Sequence, residues 1–348
     1  MVMELNHLNS LRTIPSAEEL QKMTQYDIVD TLQMELSVVF LILNTFARAT
    51  LSPPFMDNVN SQLGQGIINN NNNIGPEHGE SKSHESWGYH GHDGPYSWPT
   101  HTAACGGFYQ SPINIQSSAV IPTGTGGIQM IGFDKEAKVE LKNNGHSVYV
   151  NIRHDTMTIQ NGGLDAPYQA VQFHFHWGSN DTRGSEHTLN GRAFPMEMHV
   201  VLYKQMYGRL SSAILHPGGV AVLGTFFEIS SQDNGNYSEL LDKIEDIRYP
   251  KDKANFTLKS LASLLPSFDN YYRYHGSLTT PPCSETVIWT VSTDRIYISE
   301  KQMEKFRKVV SSEKDWSGRD LLLVDNYRPV QSLYGRRITS NTAVKPEY

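Results

Sequence analysis

From about residue 87 to about residue 340 the chain is built of short runs in which apolar and polar positions alternate, with turn-forming residues between them. Alternation with a period of two predicts strands at Lys138–Leu141, His146–Ile152, Thr156–Ile159, Gln169–Trp177, Glu197–Tyr203, Val220–Ile229 and Thr286–Val291. The helical period is rarer and is clearest over Tyr237–Ile247 and Glu300–Val310. Most of the strands are joined by short turns. The pattern therefore predicts an α+β, β-dominated domain: a large twisted, mostly antiparallel central sheet with short peripheral helices.

The first quarter of the chain reads differently. Residues 1–33 are polar and mixed, with no repeat or motif. The apolar run Leu36–Leu43 is too short to span a bilayer, but its length suits the core of a signal peptide, and Ala47-Arg48-Ala49 follows as a cleavage pattern. Its depth in the chain and the absence of a preceding positive charge count against that reading; a start at Met34 would remove the first objection. The competing reading is a short buried helix. Residues 50–84 contain Pro53-Pro54 and five consecutive asparagines, Asn69 to Asn73, and cannot bury enough apolar surface to offset their ordering entropy. The expected organisation is an N-terminal extension over 1–49 with a signal segment at about 34–49, an Asn-rich linker over 50–84, a globular domain over 85–340 and a tail over 341–348. The linker is read as either inert or a contact segment for extracellular matrix. The tail carries no apolar anchor.

Composition narrows the classes. A net charge of −7 with no basic run argues against a nucleic-acid partner or an anionic membrane surface. The 14 histidines crowd the middle third and point to metal chemistry. Cys105 and Cys283 fit no zinc ribbon; on spacing alone they are either free thiols or one long-range disulfide. Sequons at Asn180, Asn236 and Asn255 are candidate glycosylation sites if the chain is exported.

The sharpest chemistry lies in Val171-Gln172-Phe173-His174-Phe175-His176-Trp177-Gly178. On a strand His174, His176 and Gln172 share one face, while Val171, Phe173, Phe175 and Trp177 share the other. Two histidines on one face form a bidentate hook for a transition metal. The pair alone is compatible with ordinary core or surface histidines. A second pair, His90-Gly91-His92, sits in a Gly-rich stretch without strand character and reads as surface histidines. On the segment Pro195–Val201, alternation puts Glu197, His199 and Val201 on one face. If the two strands are neighbours, His199 completes a three-histidine face and Glu197 can hold a free ring nitrogen. Three neutral imidazoles leave an ion its full charge and favour zinc. No His-Glu-x-x-His helix supports a zinc peptidase.

Read together, Gln172–Gly178, Gly184-Ser185-Glu186-His187-Thr188, Glu197-Met198-His199 and Gly276–Pro282 resemble the signatures of the α-class carbonic anhydrases. So do Trp87-Gly88-Tyr89, Gln110–Ile115, Asn143–His146 and Asn326–Pro329, and the motifs run in family order to about Arg337. The resemblance implies Zn2+ held by His174, His176 and His199, and reversible hydration of CO2 to bicarbonate and a proton by zinc hydroxide. It implies that Thr279 hands its proton to Glu186 and orients the nucleophile, and that Gln172 and Glu197 support the ligands. Val201, Val222, Leu278, Thr279, Thr280, Val287 and Trp289 would line the substrate site, with Tyr89 and Asn144 in its solvent network. His146 matches a proton shuttle; Tyr149, three positions on, is bulkier than the asparagine often found there. Cys105 and Cys283 match the disulfide of the secreted members, worth at most about 5 kcal/mol in the chain-entropy model. The resemblance also implies cis peptide bonds at Ser111-Pro112 and Pro281-Pro282. An extracellular enzyme with small-molecule partners and no membrane span is the expectation. The alternative is a catalytically weak relative serving as a matrix or binding protein.

Overall fold

A computed structural model of the chain describes residues 87–153 and 156–342; the expected signal segment, the Asn-rich linker and the end of the tail lie outside these. The described residues belong to one compact unit. Its strands and helices used below are β1 (Ala137–Asn143), β2 (Val148–Arg153), β3 (Thr158–Asn161), β4 (Tyr168–Trp177), β5 (Met196–Lys204), α1 (Leu210–Ala213), β6 (Val220–Ser230), α2 (Ser238–Ile244), β7 (Lys253–Leu258), β8 (Tyr271–Gly276), β9 (Val287–Ser292), β10 (Ile296–Ser299) and α3 (Glu300–Arg307).

Among the described residues one sheet of 13 strands dominates, in the order β7-β1-β2-β4-β5-β6-β9-β8, continued by Thr339–Ser340 and Ile121–Pro122. The pairings are mostly antiparallel, but β6 runs parallel to both β9 and β10, so the sheet is mixed. All seven strands expected from alternation are present, each within about two residues of its expected limits.

Alternation along β4 and β5 divides the interior in two. Phe173, Phe175 and Trp177, with Met196, Met198, Val200 and Leu202, point into the larger core. There they meet Leu240, Leu241 and Ile244 of α2 and Met303 and Phe306 of α3. The opposite face of β5 and β6 contributes Val201, Val222 and Phe226 to a second cluster with Val287, Trp289 and Tyr274. Helix α3 starts at a capping box: Ser299 accepts from the Gln302 amide, and the Gln302 side chain returns to Ser299.

Three local expectations are corrected. Val171 packs against the second cluster rather than beside Phe173, because the β4–β5 register slips between Ala170 and Gln172 and one residue changes face. The helix expected to reach Val310 stops at Arg307, and Val310 opens a strand that pairs with Leu322. His146, expected to begin a strand, lies in the turn before β2. The pattern also missed β8, Tyr-Tyr-Arg-Tyr-His-Gly, whose aromatic residues are buried on both faces and so do not alternate.

Candidate metal centre and its cavity

The register pairs His174 of β4 directly with His199 of β5. His176 follows two residues along the same face, and the ring nitrogens of the three come within 4.8 Å of one another. The expected three-histidine face is therefore assembled by two hydrogen-bonded strands.

Each ring has one nitrogen already committed. His174 Nδ1 lies 2.9 Å from Gln172 Oε1, and His176 Nδ1 lies 2.7 Å from the Asn326 carbonyl. His199 Nε2 lies 2.7 Å from Glu197 Oε1. These contacts fix the tautomers and leave Nε2, Nε2 and Nδ1 with their lone pairs facing inward. His176 Nε2 is buried and has no hydrogen-bond partner, as a nitrogen reserved for a metal would be. Burial holds His174 well below the usual histidine range, with His176 and His199 adding to the effect. Burial also lowers His176. Neutral imidazoles are the form a metal requires. Chemistry and orientation fit a zinc ion.

Glu197 organises the layer beneath. Its Oε1 faces both His199 Nε2 and His187 Nδ1 at 2.7 Å, while Oε2 accepts from the Glu186 and His187 amides at 2.9 and 2.8 Å. Burial alone would raise this carboxyl; the His187 and His199 rings outweigh it and hold it well below the usual range. His187, Glu197 and His199 also lie close enough together to suggest a metal group. Both imidazoles, however, are already turned onto the shared carboxylate. The other face of His187 meets the Tyr274 hydroxyl at 2.6 Å, and that hydroxyl donates to Ser111 Oγ at 2.8 Å. His187 is thus a buried hydrogen-bonding residue.

Glu186 approaches the same face. Its Oε1 accepts from the Arg328 amide at 2.9 Å. Its Oε2 lies 3.5 Å from His176 Nε2 and 3.9 Å from His199 Nδ1, and has no hydrogen-bond partner. The expected bond from Thr279 to Glu186 is not formed in this conformation.

A cavity of about 460 Å³ opens onto His174 and His199. Val201, Leu210, Ile214, Val222, Leu278 and Trp289 make its apolar wall, and Gln172, Thr279 and Thr280 its polar points. Val287 lies behind this wall in the second cluster. Leu210, Ser211 and Ile214 were missed by the sequence reading; Leu210 and Ile214 have i, i+4 spacing around α1, a four-residue helix too short to register as periodic.

The loop bearing Thr279 is held from several sides. Ser277 and Ser111 exchange hydrogen bonds at 2.9 and 3.0 Å, and Trp289 Nε1 donates to the Ser277 carbonyl. A Cβ on Gly276 would sit 2.2 Å from Ser111 Oγ, so only glycine admits this contact. Cys105 and Cys283 form a disulfide beside it, and both X-Pro bonds named above are cis. Arg328 braces the far side, donating to Gln110 Oε1 and to the Ser111 and Cys105 carbonyls. Burial lowers its guanidinium to about 10.

His146, Tyr89 and Asn144 do not line this cavity. Asn144 Oδ1 accepts from the His146 and Ser147 amides and so shapes the turn. His146 stacks on Trp87, centroids 3.9 Å apart and planes at 15°. Tyr149 pairs with His174 across the strands, its ring nearly parallel to the imidazole at 6.2 Å. Asn180, Asn236 and Asn255 are all exposed. No helix among the described residues is long and apolar enough to cross a membrane.

A family model described as eukaryotic-type carbonic anhydrase matches residues 93–342. Over 263 residues the chain is 40% identical to carbonic anhydrase 7 of Mus musculus, covering 74% of this chain and 98% of that protein. It is 39% identical to carbonic anhydrase 7 of Homo sapiens over the same shares.

Proposed function

The chain belongs to the eukaryotic-type carbonic anhydrases, zinc-dependent enzymes that hydrate CO2, and from that premise we propose how its residues divide the work. His174 and His176 would hold zinc through Nε2 and His199 would hold it through Nδ1. The observation that carries this reading is that the other nitrogen of each ring is already hydrogen bonded. When bound, the ion supplies Lewis acidity, which brings the ionisation of water from about 15.7 to about 7.

The remaining steps belong to the protein. Thr279 turns its hydroxyl toward the unpartnered Glu186 Oε2 and donates to it. Its oxygen can then only accept, so it would accept a hydrogen bond from a hydroxide nucleophile and aim that nucleophile's lone pair at carbon. The apolar wall of Val201, Val222, Leu278 and Trp289 receives CO2, which has neither charge nor dipole, without asking it to displace tightly held water. Bicarbonate leaves, and the proton released when water ionises passes to His146, a base suited to transfer near neutrality. The complete ligand set and its intact hydrogen-bonded support favour this over a catalytically weak binding protein.

Stopped-flow CO2 hydration by the full chain tests the scheme. His146→Ala is expected to lower kcat in weak buffer, to leave kcat/KM unchanged, and to be rescued by imidazole. Unchanged kcat in weak buffer would remove His146 from the path.

Export is proposed on separate grounds. The buried disulfide and the three exposed sequon asparagines support an extracellular chain processed near Thr50. N-terminal sequencing of the mature protein is expected to begin near that residue; an intact Met1 would contradict export.

A further inference from the structure

The residue read as the proton shuttle does not line the metal cavity. His146 lines a second cavity of about 690 Å³, together with Trp87, His90, His92, Asp93, Glu313 and Lys314. Its Nδ1 is buried and has no hydrogen-bond partner among the described residues. A shuttle in this position delivers its proton into that second cavity, which raises the question of what receives it.

The cavity holds one imidazole arranged as an acceptor. Glu313 is pinned by the Tyr89 amide on Oε1 at 2.8 Å and by the His90 amide on Oε2 at 3.2 Å. His90 Nδ1 lies 3.2 Å from the same Oε2. An ionised Glu313 makes Nδ1 the protonated nitrogen, so Nε2 carries the free lone pair. The His90 side chain is 44% exposed and that of Glu313 16%, so the ring touches solvent while its carboxylate is sheltered. Gly88 permits the arrangement, since a Cβ there would fall 2.6 Å from Glu313 Cδ.

We propose that His90, oriented by Glu313, is the second station of the proton's exit: it takes the proton from His146 across this cavity and gives it to buffer. The inference rests on the reading of His146 as the shuttle. The N–H bond of the His146 imidazolium breaks, solvent in the cavity carries the proton, and a new N–H bond forms at His90 Nε2. The resulting imidazolium is stabilised by the Glu313 carboxylate until a buffer base removes the proton and restores neutral His90.

Electrostatics favour the same direction. Burial lowers His146, though Glu313 partly opposes this, while the hydrogen bond that His90 donates to Glu313 raises His90. The transfer is therefore downhill. Asp325 also acts on His90 in the same sense, and His92, Asp93 and Lys314 share the cavity lining. Because the acceptor must be neutral, the relay operates above the raised His90 pKa and is lost as pH falls through it.

The test is stopped-flow hydration by the full chain carrying His90→Gln, which keeps a donor to Glu313 but cannot accept a proton. In weak buffer kcat is expected to fall about threefold, a small share of the roughly hundredfold or more that a positioned acid–base group supplies. Unchanged kcat/KM and recovery of kcat in concentrated imidazole buffer separate lost relay from lost structure. Glu313→Gln should lower kcat in weak buffer in the same way and shift its pH profile. Wild-type kcat in His90→Gln, alongside a depressed His146→Ala, would overturn the relay and leave the shuttle standing. Wild-type kcat in His146→Ala would overturn both.

Discussion

The histidines of the metal centre and the histidine of the exit path are built on opposite plans. At the centre, each ring is fixed from behind by a partner: Gln172, the Asn326 carbonyl or Glu197. At the exit, His146 is held by stacking on Trp87, and its buried Nδ1 has no partner. A ligand must present one lone pair along one direction, so hydrogen bonds that lock the ring are an advantage. A shuttle must gain and lose a proton and can turn between two sides, so a stacking contact, which has no directional donor, suits it better. The two plans have different sensitivities, and substitutions can expose them.

The largest effect is expected where the fixed centre meets the substrate. Thr279→Ala should keep zinc yet lose about a hundredfold in kcat/KM, the scale of one oriented donor or acceptor at a reacting centre. Full retention of rate would remove the orienting role. A weaker but diagnostic change is Glu197→Gln, which keeps the shape but loses the charge facing His187 and His199. Loss of such outer support typically weakens metal binding by about tenfold to a hundredfold, measurable by competition with a chelator. The equivalent damage at the exit should leave metal affinity alone. Trp87→Ala is expected to do only that, and to move a pH limb.

The sign of that shift follows from burial. His146 accepts a proton only when neutral, and burial lowers its pKa from 6.5. With the His90 step removed by His90→Gln, the acid limb of kcat in weak buffer should therefore lie below pH 6.5. Removing the Trp87 ring exposes the imidazole and should raise the midpoint toward the ordinary value. A limb that stays in place would mean that stacking does not set the proton affinity of His146.

The same contrast explains which parts were legible in the sequence. His174, His176, Glu197 and His199 follow from a period of two on adjacent strands, a rule that needs only neighbouring residues. Val171 broke the rule because a bulge lies in the pairing and not in the local pattern. The supports of the centre were harder to read, since Asn326 reaches His176 across 150 positions and Arg328 reaches Cys105 across 223. The Asn326–Pro329 motif was recognised, but nothing in its composition states what it touches. Leu210 and Ile214 were missed because α1 is one turn long. Reading His90 as a surface histidine was correct about its exposure, but that reading could not include Glu313, which lies 223 positions away.

The most direct test of the central claim joins metal content to turnover. Purified full chain, dialysed and assayed for zinc and for CO2 hydration, is expected to carry one zinc per chain and to be active. His199→Ala should lose both together, because it removes the inward Nδ1 donated by β5. A folded, wild-type chain that hydrates CO2 without zinc, or a His199→Ala chain that keeps zinc and full turnover, would contradict the account.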